Sequence, residues 1–471
     1  MFGLETDIFI LLCIALLAAC AFEFINGFHD TANAVATVIY TNSLKPTQAV
    51  IWSGIMNFLG VITGGVGVGM SIVNLLPVEL LIDQNVYHAV AMVMALLLSA
   101  IIWNLGTWYF GIPSSSSHTL IGAILGVGLG FALLPENQAG IAAVNWDKAK
   151  SVFAGLLLAP VIGFTLAVSL MFLLKKLLSD KVKEEIFSQP EGEVSPPFWI
   201  RSILIITCTL VSFFHGRNDG QKGIGLVMLI LIGVLPAIFA VNSNFDLRTI
   251  QPDIQKIEVI INKIDASVLS PAEQGSLTLL KSEVSELELL TVTPEAAEGR
   301  GLDLRRDILL ISSQTKNLLK SPVLSISEKE RDTLNELAVK EEQGIRRVTD
   351  YAPFWTILMV SLALGLGTMI GWKRIVVTVG EKIGKTHLTY AQGASAELVA
   401  AATIGLASGF GLPVSTTHTL SSGVAGTMVA SDGVRNLQTK TLRNIGIAWV
   451  LTLPVSVLMS ATLFLIFRAL L

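Results

Sequence analysis

Apolar runs dominate the hydrophobic pattern of the chain, and most approach the length of about 20 residues that a helix needs to cross a bilayer. Ten such segments are predicted, at 7–40, 48–70, 88–110, 113–134, 150–174, 199–242, 353–372, 389–410, 413–430 and 445–468. Two of them, 7–40 and 199–242, are long enough that a break within each is predicted. The pattern therefore predicts an all-α polytopic membrane protein.

The ten segments form two sets of five, each of which opens with one of the long segments. An odd number per set makes the second set start from the opposite face, as in the inverted repeats of many secondary transporters. With the N-terminus outside, most loop lysines and arginines, including Lys45, Lys181 and Lys373, fall on the inner side, as the positive-inside rule requires. Both termini are then predicted to be extracytoplasmic. The short segment 413–430 could instead be re-entrant.

One block of the chain, 243–350, is rich in charge and alternates apolar and charged positions at helical spacing. Its apolar positions include Ile254, Ile257, Ile261 and Ile264, and again Leu304, Ile308, Ile311 and Leu318. We expect an inserted extracytoplasmic helical domain with a structural or regulatory role. The predicted organisation is a first membrane repeat at 1–175, a cytoplasmic linker at 176–198, the start of a second repeat at 199–242, the insert at 243–350 and the remainder of the second repeat at 351–471.

The composition supports a membrane protein, because 52% of the residues are hydrophobic and only 14% are charged, whereas about a quarter are charged in soluble domains. The three cysteines, Cys13, Cys20 and Cys208, lie in apolar stretches without disulfide or metal-site spacing. We therefore predict no cofactor, no metal-binding residues and no nucleic-acid partner, and the lipid bilayer as the surroundings of the chain.

Two stretches with ionisable residues recur, one in each long segment. The first runs from Asn26 to Ala34 and contains Asp30, and the second runs from His215 to Gly223 and contains Asp219. An unpaired charge within a membrane helix costs at least about 2.5 kcal/mol, so each aspartate is predicted to face a partner or a ligand. The glycines around them would let the helix break and expose backbone groups to a cavity. The competing interpretation is that both aspartates serve helix packing.

Two hydroxyl-rich turns also recur, Pro113 to Thr119 and Pro413 to Thr419. A proline followed by hydroxyl residues and then an apolar run is typical of a helix N-terminus, whose first amides lack carbonyl partners and attract anions. Two such ends brought together near the middle of the membrane could surround a tetrahedral oxyanion. Alternatively, both are ordinary capped helix starts, and His118 and His418 are equally compatible with packing.

The four motifs, in this order, resemble those of the PiT family of inorganic phosphate transporters. The resemblance covers both halves of the chain and excludes the insert. It implies that phosphate is bound between the paired hydroxyl turns and that coupling cations use the paired aspartate motifs. By position, the implied phosphate-binding residues are Ser115, Ser116, Ser117, Ser415, Thr416 and Thr417, and the implied cation-binding residues are Asp30, Asn33 and Asp219.

Two positions depart from the pattern of that family. His29 replaces the asparagine before the first aspartate, and Lys222 replaces the second asparagine of the second motif. An ammonium at a cation-ligand position would repel sodium, so we expect proton coupling, with His29, Asn218 and Lys222 also in the coupling group. We expect Arg217 and Lys222 to offset the charge of the phosphate. The long insert and the lysine resemble the bacterial low-affinity Pit permeases, which implies an inner-membrane symporter of phosphate or of a neutral divalent metal-phosphate complex.

The sequence thus predicts a low-affinity phosphate transporter that works by alternating access, not an enzyme, and a homodimer is compatible with it. The alternative within transport is a sodium-coupled phosphate or sulfate carrier. An intramembrane hydrolase using Ser116 or Ser117 with His118 would need a third, orienting group that the motif lacks. A membrane receptor with a sensing outer domain remains a further alternative.

Overall fold

The computed structural model describes residues 4–73, 76, 85–135, 146–190, 194–292 and 299–471; within these ranges the side chains of residues 31–33, 147–148, 151–152 and 156 are not described. The described residues are helical apart from short turns and one isolated bridge between Gly384 and Leu437. In chain order the helices are α1 Thr6–Tyr40, α2 Pro46–Ile62, α3 Gly67–Val73, α4 Val86–Tyr109, α5 Ser116–Ala132, α6 Trp146–Leu177, α7 Asp180–Ile186, α8 Phe198–Val234, α9 Pro236–Phe239, α10 Gln251–Asn262, α11 Pro271–Val292, α12 Gly301–Leu319, α13 Glu328–Leu334, α14 Phe354–Thr368, α15 Lys373–Glu381, α16 Tyr390–Gly409, α17 Thr416–Asp432 and α18 Thr439–Leu470.

Each of the ten predicted apolar segments contains a helix or a bent pair of helices. Within the described residues, five helices are long and apolar enough to cross a membrane, or seven if each bent pair is one span. The helices α5 and α17 are shorter, with 17 residues each. The described residues are thus consistent with a polytopic helical membrane protein, although fewer of them qualify as full spans than the apolar runs predicted.

The predicted break at the aspartates is wrong. Helix α1 is continuous over 35 residues and α8 over 37 residues, so Asp30 and Asp219 lie within unbroken helices. The second of the predicted long segments, 199–242, also ends early, since α8 stops at Val234. Glycine and small residues permit a break but do not force one when both faces of a helix are packed. The bends occur elsewhere, between α2 and α3 at 74° and between α14 and α15 at 63°.

Close helix packing accounts for the continuity of α8. A Cβ on Gly60 of α2 would lie 2.1 Å from the carbonyl oxygen of Phe213, and one on Gly216 would lie 2.2 Å from that of Asn57. The two backbones therefore touch, as small residues allow between membrane helices. This contact fixes the rotation of α8 about its own axis, with Arg217 on the side that contacts α2 and with Asp219 and Lys222 turned away from Arg217.

The same turn precedes both short helices, α5 and α17. Gly111 and Gly411 have φ angles of +64° and +65°, a conformation that glycine adopts without strain. In each turn the next residue donates a backbone hydrogen bond across the turn, from Ile112 to Thr107 and from Leu412 to Ala407, both at 2.9 Å. Each turn then reaches a proline and a hydroxyl cluster with the same geometry.

The chain divides into two compact units. The first comprises Met1–Pro77, Val90–Val227 and Phe354–Leu471, and the second comprises Val78–Ala89 and Met228–Pro353. The second unit contains the predicted insert and extends beyond it on both sides. All eight isoleucines and leucines that the helical spacing singled out there are buried in one apolar cluster. Helix α11 of this unit begins at Pro271, and residues 293–298 after its end lie outside the described residues.

Candidate functional site

Both hydroxyl-rich turns are helix N-termini, which confirms that part of the sequence interpretation. Ser115 caps α5 by accepting a hydrogen bond from the backbone N–H of His118 at 3.2 Å. Ser415 caps α17 in the same way, accepting from His418 at 3.1 Å. Thr416, like the two caps, is buried. The first amides of each helix and its positive dipole end therefore face the interior of the unit.

Asp30 of α1 links the two helix starts. Ser116 Oγ of α5 donates a hydrogen bond to Asp30 Oδ2 at 2.9 Å, and Thr417 Oγ1 of α17 donates to Asp30 Oδ1. Asp30 is only 2% exposed. Its carboxylate is thus held by hydroxyls from both halves of the chain.

Asp219 of α8 lies beside Asp30 and forms an ion pair within its own helix. Lys222 Nζ, three residues along, lies 2.6 Å from Asp219 Oδ1. The same ammonium donates to Ser117 Oγ at 2.5 Å, and Ser117 in turn donates to the carbonyl oxygen of Val414 at 2.9 Å. Ser116 Oγ reaches Asp219 Oδ2 at 3.4 Å. Lys222 therefore joins the second aspartate motif to the start of α5.

Two histidines flank the aspartates. His215 Nε2 lies 3.7 Å from Asp30 Oδ2 and 3.5 Å from Asp219 Oδ2. Its Nδ1 donates to Asn57 Oδ1 at 3.0 Å, which orients the ring. His29 Nδ1 lies 3.7 Å from Asp30 Oδ1, and its Nε2 is 3.2 Å from Thr107 Oγ1.

One ligand atom each from Asp30, His215 and Asp219 lies within 4.8 Å of the other two, so these residues could hold a metal ion. No metal-binding residues were predicted from the sequence, because the spacing of these three residues along the chain does not match a metal-site motif. Carboxylate and imidazole ligands suit a divalent cation.

The sequence matches a known protein family: a family model described as "Phosphate transporter family" matches residues 26–460. The chain belongs to the phosphate transporter family. It is 44% identical to the low-affinity inorganic phosphate transporter PitA of Escherichia coli strain K12, over 98% of this chain and 97% of that protein. It is 42% identical to PitB of the same organism, again over 98% and 97%. This is a family of transporters rather than of enzymes.

A solved structure titled "The sodium-dependent phosphate transporter" has a similar fold. The TM-score is 0.53 at 22% identity, and the match covers 98% of this chain and all of that one. At this level of identity the likeness supports the fold alone.

Of the remaining residues predicted for the site, only some contact the two aspartates. The side chain of Asn33 is outside the described part of the chain. Asn218 is buried and donates to Ser408 Oγ and to the carbonyl oxygen of Leu412, both at 3.1 Å, so it holds the turn before α17. Arg217 is two residues from Asp219 on α8, which places it on the opposite side of the helix, where its backbone contacts Gly60. The structure therefore brings Lys222, but not Arg217, to the aspartates.

Several buried polar residues near the site were missed or left undecided by sequence reasoning. Asn57 and Thr107, which contact the two histidines, are single polar residues in apolar helices, and this is the signal that could have found them. Glu23 is fully buried, accepts a hydrogen bond from Asn26 at 3.4 Å, and its Oε1 has no hydrogen-bond partner. Glu397 accepts hydrogen bonds from Thr37 and Thr207.

The serine and histidine pair of the hydrolase alternative is not assembled. His118 Nδ1 lies 2.8 Å from the capping Ser115, while Ser117 is engaged with Lys222 and Val414. The His118 and His418 rings contact each other with centroids 4.4 Å apart, and His418 stacks on Trp449 at 3.9 Å. These contacts favour a packing role for both histidines.

Proposed function

We propose that this protein takes up inorganic phosphate across the bacterial inner membrane, at low affinity, by proton symport and alternating access around the site between α1, α5, α8 and α17. The family and the near-full-length likeness to low-affinity phosphate transporters support phosphate as the substrate. Two helix N-termini with hydroxyl caps supply the donors that a tetrahedral oxyanion needs.

One observation carries the proton assignment. Lys222 Nζ lies 2.6 Å from Asp219 Oδ1 and 2.5 Å from Ser117 Oγ, so a permanent cation occupies the space that a coupling metal ion would share with this aspartate. An ammonium so placed repels sodium at short range, because two unit charges at 4 Å interact with about 4 kcal/mol in a partly buried protein environment. Asp30 then becomes the carboxylate that exchanges a proton.

The contacts of Asp30 suggest how proton and phosphate are coupled. Ser116 and Thr417 donate to its two carboxylate oxygens. A protonated carboxyl has less acceptor capacity and itself donates, so at least one of these hydroxyls would be released. In our proposal the released hydroxyls, together with the amides of α5 and α17, turn to the oxygens of phosphate. Proton binding thereby raises the affinity for the anion.

A neutral metal-phosphate complex would use the same region. The group of Asp30, His215 and Asp219 offers oxygen and nitrogen ligands within 4.8 Å of one another. Asn57 accepts the Nδ1 proton of His215, which leaves Nε2 as the ligand nitrogen. Because phosphate offsets the charge of the divalent ion, Lys222 would not repel this neutral complex as it repels sodium. The ion would meet Asp30 and Asp219, while its phosphate would meet the helix ends and Lys222.

The arrangement in the membrane is part of the proposal. We propose two inverted five-segment repeats, both termini outside, and the 243–350 block as an extracytoplasmic insert, supported by the loop charges. In a variant lacking Cys13, Cys20 and Cys208, single cysteines at Asn85 and Ser276 should react with an impermeant thiol reagent in intact cells, and one at Ser179 should not. Labelling at Ser179 would overturn the inverted arrangement.

The test of transport is uptake of labelled phosphate into proteoliposomes. An imposed inward proton gradient should drive accumulation, and replacing sodium by potassium or choline at fixed pH should leave the initial rate unchanged. Strong sodium dependence would favour the alternative of sodium coupling. Unlabelled sulfate added in excess distinguishes the anions, since a sulfate carrier would lose its phosphate uptake. Repeating the assay with and without Mg²⁺ tests the metal-phosphate complex.

A further inference from the structure

A second cluster of carboxylates lies in the unit that contains the insert. Glu283 and Glu286 are three residues apart on α11 and therefore share a face, and Asp307 lies on α12. One carboxylate oxygen from each lies within 4.8 Å of the other two. These residues belong to none of the motifs of the transport site.

Two of these carboxylates have an oxygen without any protein partner. Glu283 is 9% exposed and Asp307 is fully buried, yet Glu283 Oε2 and Asp307 Oδ2 accept no hydrogen bond. Buried polar atoms in folded proteins are almost always paired, so two unsatisfied carboxylate oxygens in one cluster require an explanation. Such oxygens can be satisfied by a cation or by a proton.

The arginines around the cluster do not neutralise its carboxylates. Arg306 donates to Asp307 Oδ1 at 2.9 Å, and Arg300 lies 3.2 Å from Glu286 and 2.9 Å from Asp303. Arg306 also approaches Glu286 at 3.6 Å. Four carboxylates and two guanidinium groups therefore form one network with a net charge of −2 when all are ionised. Both guanidinium groups act on the other oxygens, not on the two that are unpaired.

We infer that Glu283, Glu286 and Asp307 form a binding site for a hard divalent cation, Ca²⁺ or Mg²⁺, which joins α11 to α12. The ligand atoms are all carboxylate oxygens, which suit these ions rather than thiophilic or imidazole-preferring metals. Three protein ligands leave room for water in the coordination shell. We expect dissociation constants of about 10⁻⁴–10⁻³ M, the range of extracellular calcium modules.

The experiment uses the full-length protein in detergent, in phosphate-free buffer at neutral pH, with Ca²⁺ and Mg²⁺ as the probes. Equilibrium dialysis with radiolabelled Ca²⁺ gives the stoichiometry, and hydrogen–deuterium exchange with and without the ion gives the location. We expect slower exchange confined to α11 and α12 in the second unit. Because phosphate uptake is not the readout, failure of the transport proposal would leave this test unaffected.

Glu283→Gln and Asp307→Asn should each lower the amount of bound Ca²⁺ by about one ion per chain and abolish the slowing of exchange at α11 and α12. Glu288→Gln is the matched control, because Glu288 is on α11 but two residues from Glu286, and hence on the opposite side of that helix. It should bind like the parent protein. Exchange of the cation-free variants checks that the unit is folded. Equal Ca²⁺ binding by all variants, or no change of exchange at these helices in the parent protein, would overturn the site.

Discussion

Asp30 and Asp219, both in the first compact unit, occupy equivalent places in the two motifs but have different hydrogen-bond and ion-pair partners. Asp219 has an ammonium beside it in its own helix, at 2.6 Å. Asp30 accepts hydrogen bonds from two hydroxyls and has two imidazoles at 3.7 Å. One carboxylate is thus paired with a lysine of its own helix, whereas the other is surrounded by groups that can change their hydrogen bonds.

This difference indicates a division of labour. A buried carboxylate paired with lysine is expensive to neutralise, because protonating it strands the ammonium in a low-dielectric site. A carboxylate held by hydroxyls has no such constraint, since a hydroxyl can rotate and donate its hydrogen bond elsewhere. In the proposed cycle Asp30 therefore exchanges the proton, while Asp219 and Lys222 form a fixed pair that replaces a coupling metal ion.

The same comparison extends to the turns. Thr417 of the second turn contacts Asp30 of the first motif, and Ser117 of the first turn contacts Lys222 of the second motif. Each motif thus meets the equivalent residue of the other half, but through a carboxylate in one case and an ammonium in the other. The asymmetry arises from the side chain three residues after each aspartate, which is an asparagine at position 33 and a lysine at position 222.

Replacing that lysine should produce the largest effect. Lys222→Asn leaves Asp219 without its cation in a buried site, at a cost of about 3–5 kcal/mol, which corresponds to a factor of about 100 or more. We expect the variant to lose both gradient-driven uptake and phosphate exchange, or to regain them only when sodium is present. Initial rates in proteoliposomes with sodium or choline measure this directly.

The control for Lys222→Asn is Lys256→Asn, which makes the same change of charge at an exposed position of the second unit. It should transport like the parent protein. Proton-driven uptake at the normal rate by Lys222→Asn in sodium-free medium would show that the ammonium has no coupling role, and the division of labour would then be wrong.

Neutralising the two aspartates separately should sharpen the comparison, with smaller and distinct effects. Asp30→Asn keeps the acceptor oxygen but cannot release a proton, so uptake driven by a pH gradient should vanish while phosphate exchange persists at a reduced rate. Asp219→Asn strands Lys222, so both activities should fall and the thermal stability should drop. Exchange, gradient-driven uptake and unfolding temperature are measured on each variant at equal abundance. Identical behaviour of the two variants would contradict separate roles.

Much of this arrangement could be predicted from the sequence. The two aspartates and the two capped helix starts could be identified because polar clusters in apolar segments are rare. Each half of the chain contains one aspartate motif followed by one hydroxyl-rich turn. The packing face of α8 could not be predicted in the same way. Arg217 and Lys222 are both basic residues of one motif, and only the contact of Gly60 with the α8 backbone decides which of them faces the aspartates.

The continuity of α1 and α8 and the second carboxylate cluster were missed for a related reason. A glycine allows a helix to break at its position, but the packing of the helix against its neighbours determines whether the break occurs. Glu283, Glu286 and Asp307 are ordinary charged positions of an amphipathic pattern, and their proximity depends on how α11 and α12 pair. Side chains brought together only by tertiary contacts leave no local signal in the chain.

The smallest effects should come from the two hydroxyls that cross between the halves. Thr417→Val removes a donor that, in our proposal, turns from Asp30 to an oxygen of phosphate. A hydrogen bond to a charged group contributes about 1.5–3 kcal/mol, so we expect the KM for phosphate to rise about 10-fold or more. The pH dependence of uptake should shift as well, because this hydroxyl contacts Asp30, the carboxylate that exchanges the proton in our proposal. Ser117→Ala should raise the KM less, since Lys222 keeps its ion pair with Asp219. It should leave the pH dependence unchanged. Thr417→Ser and Ser117→Thr, which keep the hydroxyls, serve as controls. A pH shift in Ser117→Ala but not in Thr417→Val would exchange the roles assigned to the two aspartates.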